Sequence, residues 1–443
     1  MEDGLSISEL KNIINIVIDT GVVPIVEGPP GVGKSSVVRE IAANLPYTIQ
    51  NNVEVSKVSK KLRSVYGSSH TGLVVKDVRL GLCSPTEIKG IPVFDTRDGD
   101  ALWVNTSLFP IDPSVLARKE AELLNAYTSF NSMDHTHPSF DELKNRITRL
   151  EAFIEKALHE QFALLFLDEI TQAPISVQNA AFSLVLDRTI GTYSLPEKVL
   201  VIAAGNRKKD LAGANTLNSA LTSRFIKLTL DNPTMDDFTS YAIKNGIDPE
   251  ILGFLEFKKE LLFDFNPSNV GMSFPCPRTW EFASRQLKAW KEKSGGNNEL
   301  YHLVGGCVGY ATSMMFVNWR NLYVKLPNPK DILDGKIKRK DIDFQGIAES
   351  SKEKHKVHGN DLSLIHAFTM SMIVMVAEEY TDQRLTNFLK FLCDTDSSKL
   401  EWATIAIKTF IINYEELSST KLVNNPEWKN LIDIIDIGNV LTQ

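Results

Sequence analysis

A glycine-rich segment that ends in a lysine and a serine is the strongest chemical signal in this sequence. It reads GPPGVGKS from Gly28 to Ser35 and fits the pattern G-x-x-x-x-G-K-[ST] in full. Glycines at these positions let backbone N–H groups curl around a phosphate, aided by the N-terminus of the helix that follows. Lys34 is predicted to reach the β- and γ-phosphates of ATP, and the Ser35 hydroxyl to bind Mg²⁺. The predicted nucleotide-binding residues are Gly28, Pro29, Pro30, Gly31, Val32, Gly33, Lys34, Ser35 and Ser36.

An apolar run that ends in two acids predicts the second half of the same site. Residues 164–167 read LLFL, and Asp168 and Glu169 follow them. Asp168 is predicted to hold Mg²⁺ together with Ser35, and Glu169 to orient and polarise the attacking water. Strands often end in acids, so this signal gains its weight from lying downstream of a phosphate-binding loop. The glutamate indicates hydrolysis rather than nucleotide binding only.

Three further polar side chains are candidates for the same chemistry. Asn206 ends the run VLVIAAGN and either places the lytic water or only caps a turn. Arg224 precedes another apolar run and either stabilises charge on a transferred phosphoryl group or pairs with an acid. Arg278, held between prolines at the start of a helix, either reaches phosphate or forms a structural ion pair.

The elements that must position these residues are short apolar strands separated by helices. The candidate strands are residues 22–28, 73–80, 162–169, 199–206 and 225–230. This pattern predicts an α/β fold with a parallel sheet covered by helices on both faces.

The chain is long enough for two or three domains, because it has 443 residues. Residues 1–231 are predicted to form the α/β nucleotide-binding domain, with an insertion at about 112–160 that forms two helices. A helical lid is predicted at 232–325, a Pro- and charge-rich linker at 326–343, and a helical C-terminal extension at 344–443.

The charge and the cysteine content indicate which binding partners and which cellular compartment to expect. The net charge is −7, so a protein that coats nucleic acid by bulk charge is not expected. The four cysteines form no CxxC pair, and the acidic N-terminus has no apolar signal core. We therefore expect a cytoplasmic protein that does not enter a membrane.

The order of these motifs resembles the AAA+ ATPases, and within them the MoxR-like branch. The resemblance rests on GPPGVGKS, LLFLDEI, the segment 177–206, the run LNSALTSRF, the PRTW element and the stretch 86–110. Together they cover most of residues 20–290. The helical insertion and the helices after residue 343 go beyond the family pattern.

The resemblance implies roles for the candidate residues. Asn206 resembles sensor 1, Arg224 the arginine finger that acts on the neighbouring subunit's nucleotide, and Arg278 sensor 2. Residues 187–196 resemble the pre-sensor hairpin, within which Arg188 is a candidate second interface arginine. The loop at 88–92 resembles one that faces the ring's pore or its client.

The resemblance also implies how such a protein works. Family members bind ATP and Mg²⁺, assemble as homo-oligomeric rings, usually hexamers, and remodel a protein client. MoxR-like members are often paired with a partner that carries a von Willebrand A-type metal-binding domain. Two alternative functions are compatible with the same ATP-binding fold. They are a nucleic-acid remodelling ATPase and an ATP-gated assembly scaffold with slow turnover.

Overall fold

A computed structural model of the chain describes residues 4–50, 60–94, 101–104, 107–134, 136–210, 217, 223–268, 272–349, 361–394 and 400–435. The chain divides into two compact units, Met1–Asn232 and Pro233–Gln443. Each unit has hydrophobic clusters of its own.

The first unit alternates strands and helices along the chain. In chain order its elements are α1 (Ile7–Ile18), β1 (Val23–Glu27), α2 (Lys34–Asn44), β2 (Pro46–Thr48), α3 (Lys60–Val65), β3 (Ser69–Thr71), β4 (Val75–Arg79), α4 (Pro85–Lys89), β5 (Ile91–Phe94), β6 (Ala101–Val104), α5 (Pro113–Ser132), α6 (Phe140–Glu160), β7 (Leu164–Asp168), α7 (Ile175–Asp187), β8 (Thr189–Ile190), β9 (Tyr193–Ser194), β10 (Leu200–Gly205) and β11 (Phe225–Thr229). Short 3₁₀ turns follow β4 at Leu80–Leu82 and β10 at Lys208–Asp210.

Five of these strands form one parallel sheet in the order β11-β1-β10-β7-β4. They are the five strands that the apolar runs predict, and the α/β class with a parallel sheet flanked by helices and followed by a helical C-terminal part is confirmed. Every residue of β1 is buried, as are the first four of β7, because a parallel sheet covered on both faces leaves no side for water.

The order of the strands decides which loops meet. Because the strands are parallel, their carboxyl ends lie along one edge of the sheet. β10 lies between β1 and β7. Ala203 of β10 pairs with Ile25 of β1 on one side and with Leu167 of β7 on the other. The segments that follow these three strands are therefore neighbours.

The long insertion is an antiparallel helical hairpin with its own core. α5 begins at Pro113 behind the N-cap Asp112, and α6 follows after a short polar turn. Leu123 and Ile154 are fully buried between the helices and the α3 region. Between α2 and β4, β2 and β3 form an antiparallel pair, and α3 lies between them in the chain.

Two small hairpins leave the sheet. β5 pairs with β6 directly after α4, in the region compared with a pore-facing loop. β8 pairs with β9, within the segment that resembles the pre-sensor hairpin. The Tyr193 hydroxyl donates to the Pro110 carbonyl at 2.9 Å, and the Ser194 N–H donates to Asp112 Oδ2 at 2.9 Å. These two bonds fix the hairpin to the start of α5.

The second unit consists of helices and the segments that join them, with no strand among its described residues. Its helices are α8 (Met235–Lys244), α9 (Pro249–Phe257), α10 (Pro277–Glu292), α11 (Asn297–Val308), α12 (Tyr310–Tyr323), α13 (Pro329–Leu333), α14 (Phe344–Glu349), α15 (Asp361–Glu378), α16 (Asp382–Cys393), α17 (Leu400–Asn413), α18 (Glu415–Leu417) and α19 (Pro426–Ile434). Among the described residues, no helix combines the length and hydrophobicity that a membrane crossing requires.

The predicted lid and the predicted extension share one core. Gly253 of α9 lies so close to Ala367 of α15 that a Cβ built on the glycine would clash with the alanine Cβ. The segment 326–343, predicted as a linker, contains α13, whose Ile332 and Leu333 are buried in that core. Leu326 and Ile342, at the two ends of this segment, are buried in the same core.

Candidate nucleotide site

The glycine-rich loop joins β1 to α2 at the carboxyl edge of the sheet. Gly31 and Gly33 have φ of 80° and 97°, a left-handed conformation that side chains rarely adopt. Gly28 passes close to the next strand, since a Cβ there would be 3.2 Å from the Leu230 carbonyl oxygen. The tight curl that a phosphate-binding loop needs is therefore specified by these three glycines.

The Lys34 ammonium is held by three oxygen atoms around this loop. Its Nζ donates to the carbonyls of Gly28 and Pro29, each at 2.8 Å, and to Asn206 Oδ1 at 2.9 Å. The first two bonds close the loop on its own lysine. The third bond joins the loop to the residue that follows β10.

Ser35 and Asp168 meet across the sheet edge. Ser35 Oγ donates to Asp168 Oδ2 at 3.0 Å, and the other carboxylate oxygen, Oδ1, accepts from the Glu169 N–H at 2.9 Å. Hydroxyl and carboxylate oxygens are ligands that Mg²⁺ prefers, and such sites use only one or two carboxylates because phosphate and water complete the shell. Among the described residues, no cluster of three or more His, Cys, Asp or Glu side chains forms another metal site.

Glu169 has a backbone conformation that is rare for a residue with a side chain. Its φ is 57°, in the left-handed region that few residues with a side chain adopt. The Ile170 N–H donates to the Ala204 carbonyl at 3.1 Å, so the neighbouring strand holds the turn. The carboxylate lies against Gly81, where a Cβ would be 3.1 Å from Glu169 Oε2.

Asn206 follows β10, between the strands that lead to the phosphate loop and to the two acids. Its side chain accepts from Lys34, and its backbone N–H donates to Thr171 Oγ1 at 2.9 Å. Thr171 is buried and was not among the residues that the sequence singled out. A threonine three residues after the first acid is the only local signal, and it is too common to be noticed without the strand order.

Arg188 is engaged within its own chain. Its guanidinium donates to the carbonyls of Pro196 and Val199, at 2.7 and 2.8 Å. Burial lowers the pKa of this guanidinium from its usual range. Arg188 also ends α7 in a left-handed conformation, with φ of 55°. These contacts give it a structural role in holding the segment between the β8–β9 hairpin and β10.

The other two arginine candidates are exposed. Arg224 lies in the turn before β11, and Arg278 is the second residue of α10. Within the described part of the chain, neither guanidinium forms an ion pair or a side-chain hydrogen bond with a carboxylate. The alternative of a structural ion pair therefore gains no support at either position. Residues 218–222 of the run LNSALTSRF lie outside the described residues.

No protein-family model and no curated protein match this chain. Among solved structures, it is similar to NtrX from Brucella abortus, with 16% identity and a TM-score of 0.31 over 66% of this chain and 52% of NtrX. The chain thus spans about half the length of NtrX. A RuvB mutant from Thermotoga maritima matches with 13% identity and a TM-score of 0.27, over 81% of this chain and 89% of RuvB.

The ORC2 protein from Aeropyrum pernix, in its ADP form, is also similar. It shares 13% identity with a TM-score of 0.24, over 99% of this chain and 95% of ORC2. At TM-scores this low, the likenesses carry no argument about what this chain does. The function has to be inferred from the residues themselves.

Proposed function

We propose that this protein is a Mg²⁺-dependent ATPase. The observation that carries the proposal is the contact between Ser35 Oγ and Asp168 Oδ2 at 3.0 Å, next to a lysine whose Nζ lies 2.9 Å from Asn206 Oδ1. Four residue types that phosphoryl transfer requires thus meet at the carboxyl edge of one sheet, although they come from three distant parts of the sequence.

Each group has a role in the proposed reaction. The backbone N–H groups of the loop and the Lys34 ammonium bind the phosphates of ATP. Ser35 and Asp168 would hold Mg²⁺, which when bound neutralises charge on the phosphate oxygens. Glu169 polarises the attacking water and accepts its proton, and Asn206 places that water.

We further propose that the protein is an AAA+ ATPase of the MoxR-like type, that it assembles as a ring, and that it remodels a protein client. The order of motifs along the chain supports this proposal, as does a β8–β9 hairpin at the position of the pre-sensor hairpin. In that assembly Arg224 acts on the neighbour's nucleotide and Arg278 on its own. A partner with a von Willebrand A-type domain is the client class that the resemblance favours.

ATP turnover with and without Mg²⁺ tests the enzymatic part. We expect turnover that EDTA abolishes, and Lys34→Ala to lose nucleotide binding in calorimetry. Lys60→Ala, which removes an exposed lysine from α3, is the matched control and should behave as wild type. If Lys34→Ala bound ATP with unchanged affinity, the assignment of the phosphate loop would be wrong.

Turnover per subunit across protein concentrations tests the ring. A steep rise followed by saturation would show that subunits complete each other's sites. In mixtures with wild type, Arg224→Ala should lower activity more than dilution does, whereas Arg118→Ala, another exposed arginine, should not. A strictly proportional loss would contradict action on a neighbour. Stimulation by DNA or RNA with a steep salt dependence would favour the nucleic-acid alternative instead.

A further inference from the structure

Thr171 connects two loops of the proposed ATP site, the loop that follows β7 and the loop that follows β10. Its Oγ1 accepts from the Asn206 N–H at 2.9 Å, and Thr171 is itself 3% exposed. The loop that carries it starts at Asp168 and Glu169. One buried hydroxyl thus ties the backbone of the water-placing residue to the segment that carries the water-polarising residue.

The surrounding packing leaves this hydroxyl little freedom. A Cβ built on Gly205 would lie 2.6 Å from Thr171 Cγ2 and 2.7 Å from its Oγ1, so the strand end and the threonine fit closely. The Ile170 N–H donates to the Ala204 carbonyl at 3.1 Å. The loop is therefore fastened to β10 at two successive residues, once through the backbone and once through the Thr171 side chain.

The side chain of Asn206 continues this connection to the phosphate loop. Asn206 Oδ1 accepts from Lys34 Nζ at 2.9 Å. A hydrogen-bonded path thus runs from Thr171 through Asn206 to Lys34. A change in the backbone of Asn206 would move its amide relative to both the lysine and the water, and errors of about 1 Å in such positions cost about 100-fold in rate.

We propose that Thr171 is a positioning residue that sets Asn206 for hydrolysis. The inference rests on the proposed ATPase function. Thr171 lies outside the phosphate loop and contacts the backbone of Asn206, so its loss should lower kcat more than nucleotide affinity. A hydroxyl acceptor is required at this position, and the methyl group serves only to fill space against Gly205.

Two substitutions separate the hydroxyl from the methyl group. Thr171→Val keeps the shape and removes the acceptor, whereas Thr171→Ser keeps the acceptor and removes the methyl. We expect kcat to fall about tenfold or more in Thr171→Val, with the KM for ATP within about threefold of wild type. Thr171→Ser should keep most of the activity. Equal loss in both variants, or none in Thr171→Val, would overturn the proposal.

A double-mutant cycle covers the case in which Thr171→Val folds poorly. If Thr171 acts through Asn206, adding Thr171→Ala, which also lacks the hydroxyl, to Asn206→Ala should lower kcat no further. An additional loss equal to that of the single variant would show independent action and contradict the proposal. Circular dichroism melts of all variants identify any loss that comes from unfolding.

Hydrogen exchange of the Asn206 amide, read by mass spectrometry, tests the contact without reference to activity. Exchange should rise about tenfold in Thr171→Val and stay near wild type in Thr171→Ser, because only the valine lacks an acceptor. If the wild-type protein had no turnover, the proposed ATPase function would be wrong. This measurement would still test whether the Thr171 hydroxyl holds the Asn206 amide. Unchanged exchange in Thr171→Val would refute the proposal that Thr171 positions Asn206.

Discussion

Two regions of this molecule differ in whether their polar side chains have hydrogen-bond partners. At the carboxyl edge of the sheet, the side chains of Lys34, Ser35 and Asn206 all have hydrogen-bond partners within the first unit. In the helical core of the second unit, the His366 imidazole is 4% exposed, and neither ring nitrogen has a partner among the described residues. Changes in the first region should therefore alter chemistry and spare the fold, whereas changes at His366 should alter stability and spare chemistry.

The largest effect on chemistry is expected for Glu169→Gln. The amide keeps the shape of the side chain but cannot accept a proton, so turnover should fall about 10²- to 10⁴-fold. Bound ATP should persist, and the melting temperature should stay within about 2 °C of wild type, as is usual for substitutions that leave packing unchanged. Rapid quench with radiolabelled ATP measures the rate, and normal turnover in this variant would remove Glu169 from the mechanism.

A smaller effect is expected for Asp168→Asn, which acts on the metal. The Asp168 carboxylate accepts hydrogen bonds from Ser35 Oγ and from the Glu169 N–H. The substitution removes the negative charge that would bind Mg²⁺. The Mg²⁺ concentration for half-maximal turnover should rise about tenfold or more. Asp237→Asn changes an acid in the first turn of α8 and is the control. An unchanged Mg²⁺ requirement in Asp168→Asn would argue against this metal site.

Gly81→Ala should have a smaller effect still. The added methyl group would lie 3.1 Å from Glu169 Oε2, and its other neighbours are at ordinary contact distance. Because the carboxylate is the flexible end of a side chain, we expect it to shift and to lower kcat by about threefold to tenfold with unchanged ATP affinity. Gly306→Ala, where a Cβ meets open space, is the matched control. Equal activity in both variants would show that Glu169 tolerates displacement.

The sequence predicts the strands of the sheet well. The five strand runs are continuous and apolar, and the motif that follows β1 has a fixed spacing, so local information is sufficient there. The bond from Asn206 to Thr171 could not be predicted, because it depends on β10 lying beside β7, and strand order is a property of the whole chain.

The second unit was harder to predict for a related reason. Residues 326–343 have the composition of a linker, but the segment contributes four buried residues to the helical core, Leu326, Ile332, Leu333 and Ile342. Likewise, no local pattern shows that α9 packs along α15. Helical periodicity identifies which face of a helix is apolar, but it does not identify the helix that covers this face.

The smallest effect on turnover, and the clearest on stability, is expected at His366. Burial lowers the pKa of its imidazole to about 4, with smaller contributions from Glu256, which raises the pKa, and from Lys259, which lowers it. In the unfolded chain the pKa is near 6.5. Between these two values the unfolded state binds a proton that the folded state does not, so the free energy of unfolding should fall as the pH drops from about 6.5 to 4.

The measurement is urea unfolding followed by tryptophan fluorescence, since five of the six tryptophans belong to the second unit. His366→Leu removes the titrating group and the unpaired nitrogens. We expect it to match or exceed wild type at pH 7, with an advantage that grows by about 2–3 kcal/mol on acidification to pH 4.5. His302→Gln, at an exposed position on α11, should leave the profile unchanged. Parallel pH profiles for wild type and His366→Leu would show that the buried imidazole is protonated as readily in the folded as in the unfolded chain, and would contradict the contrast between the two regions.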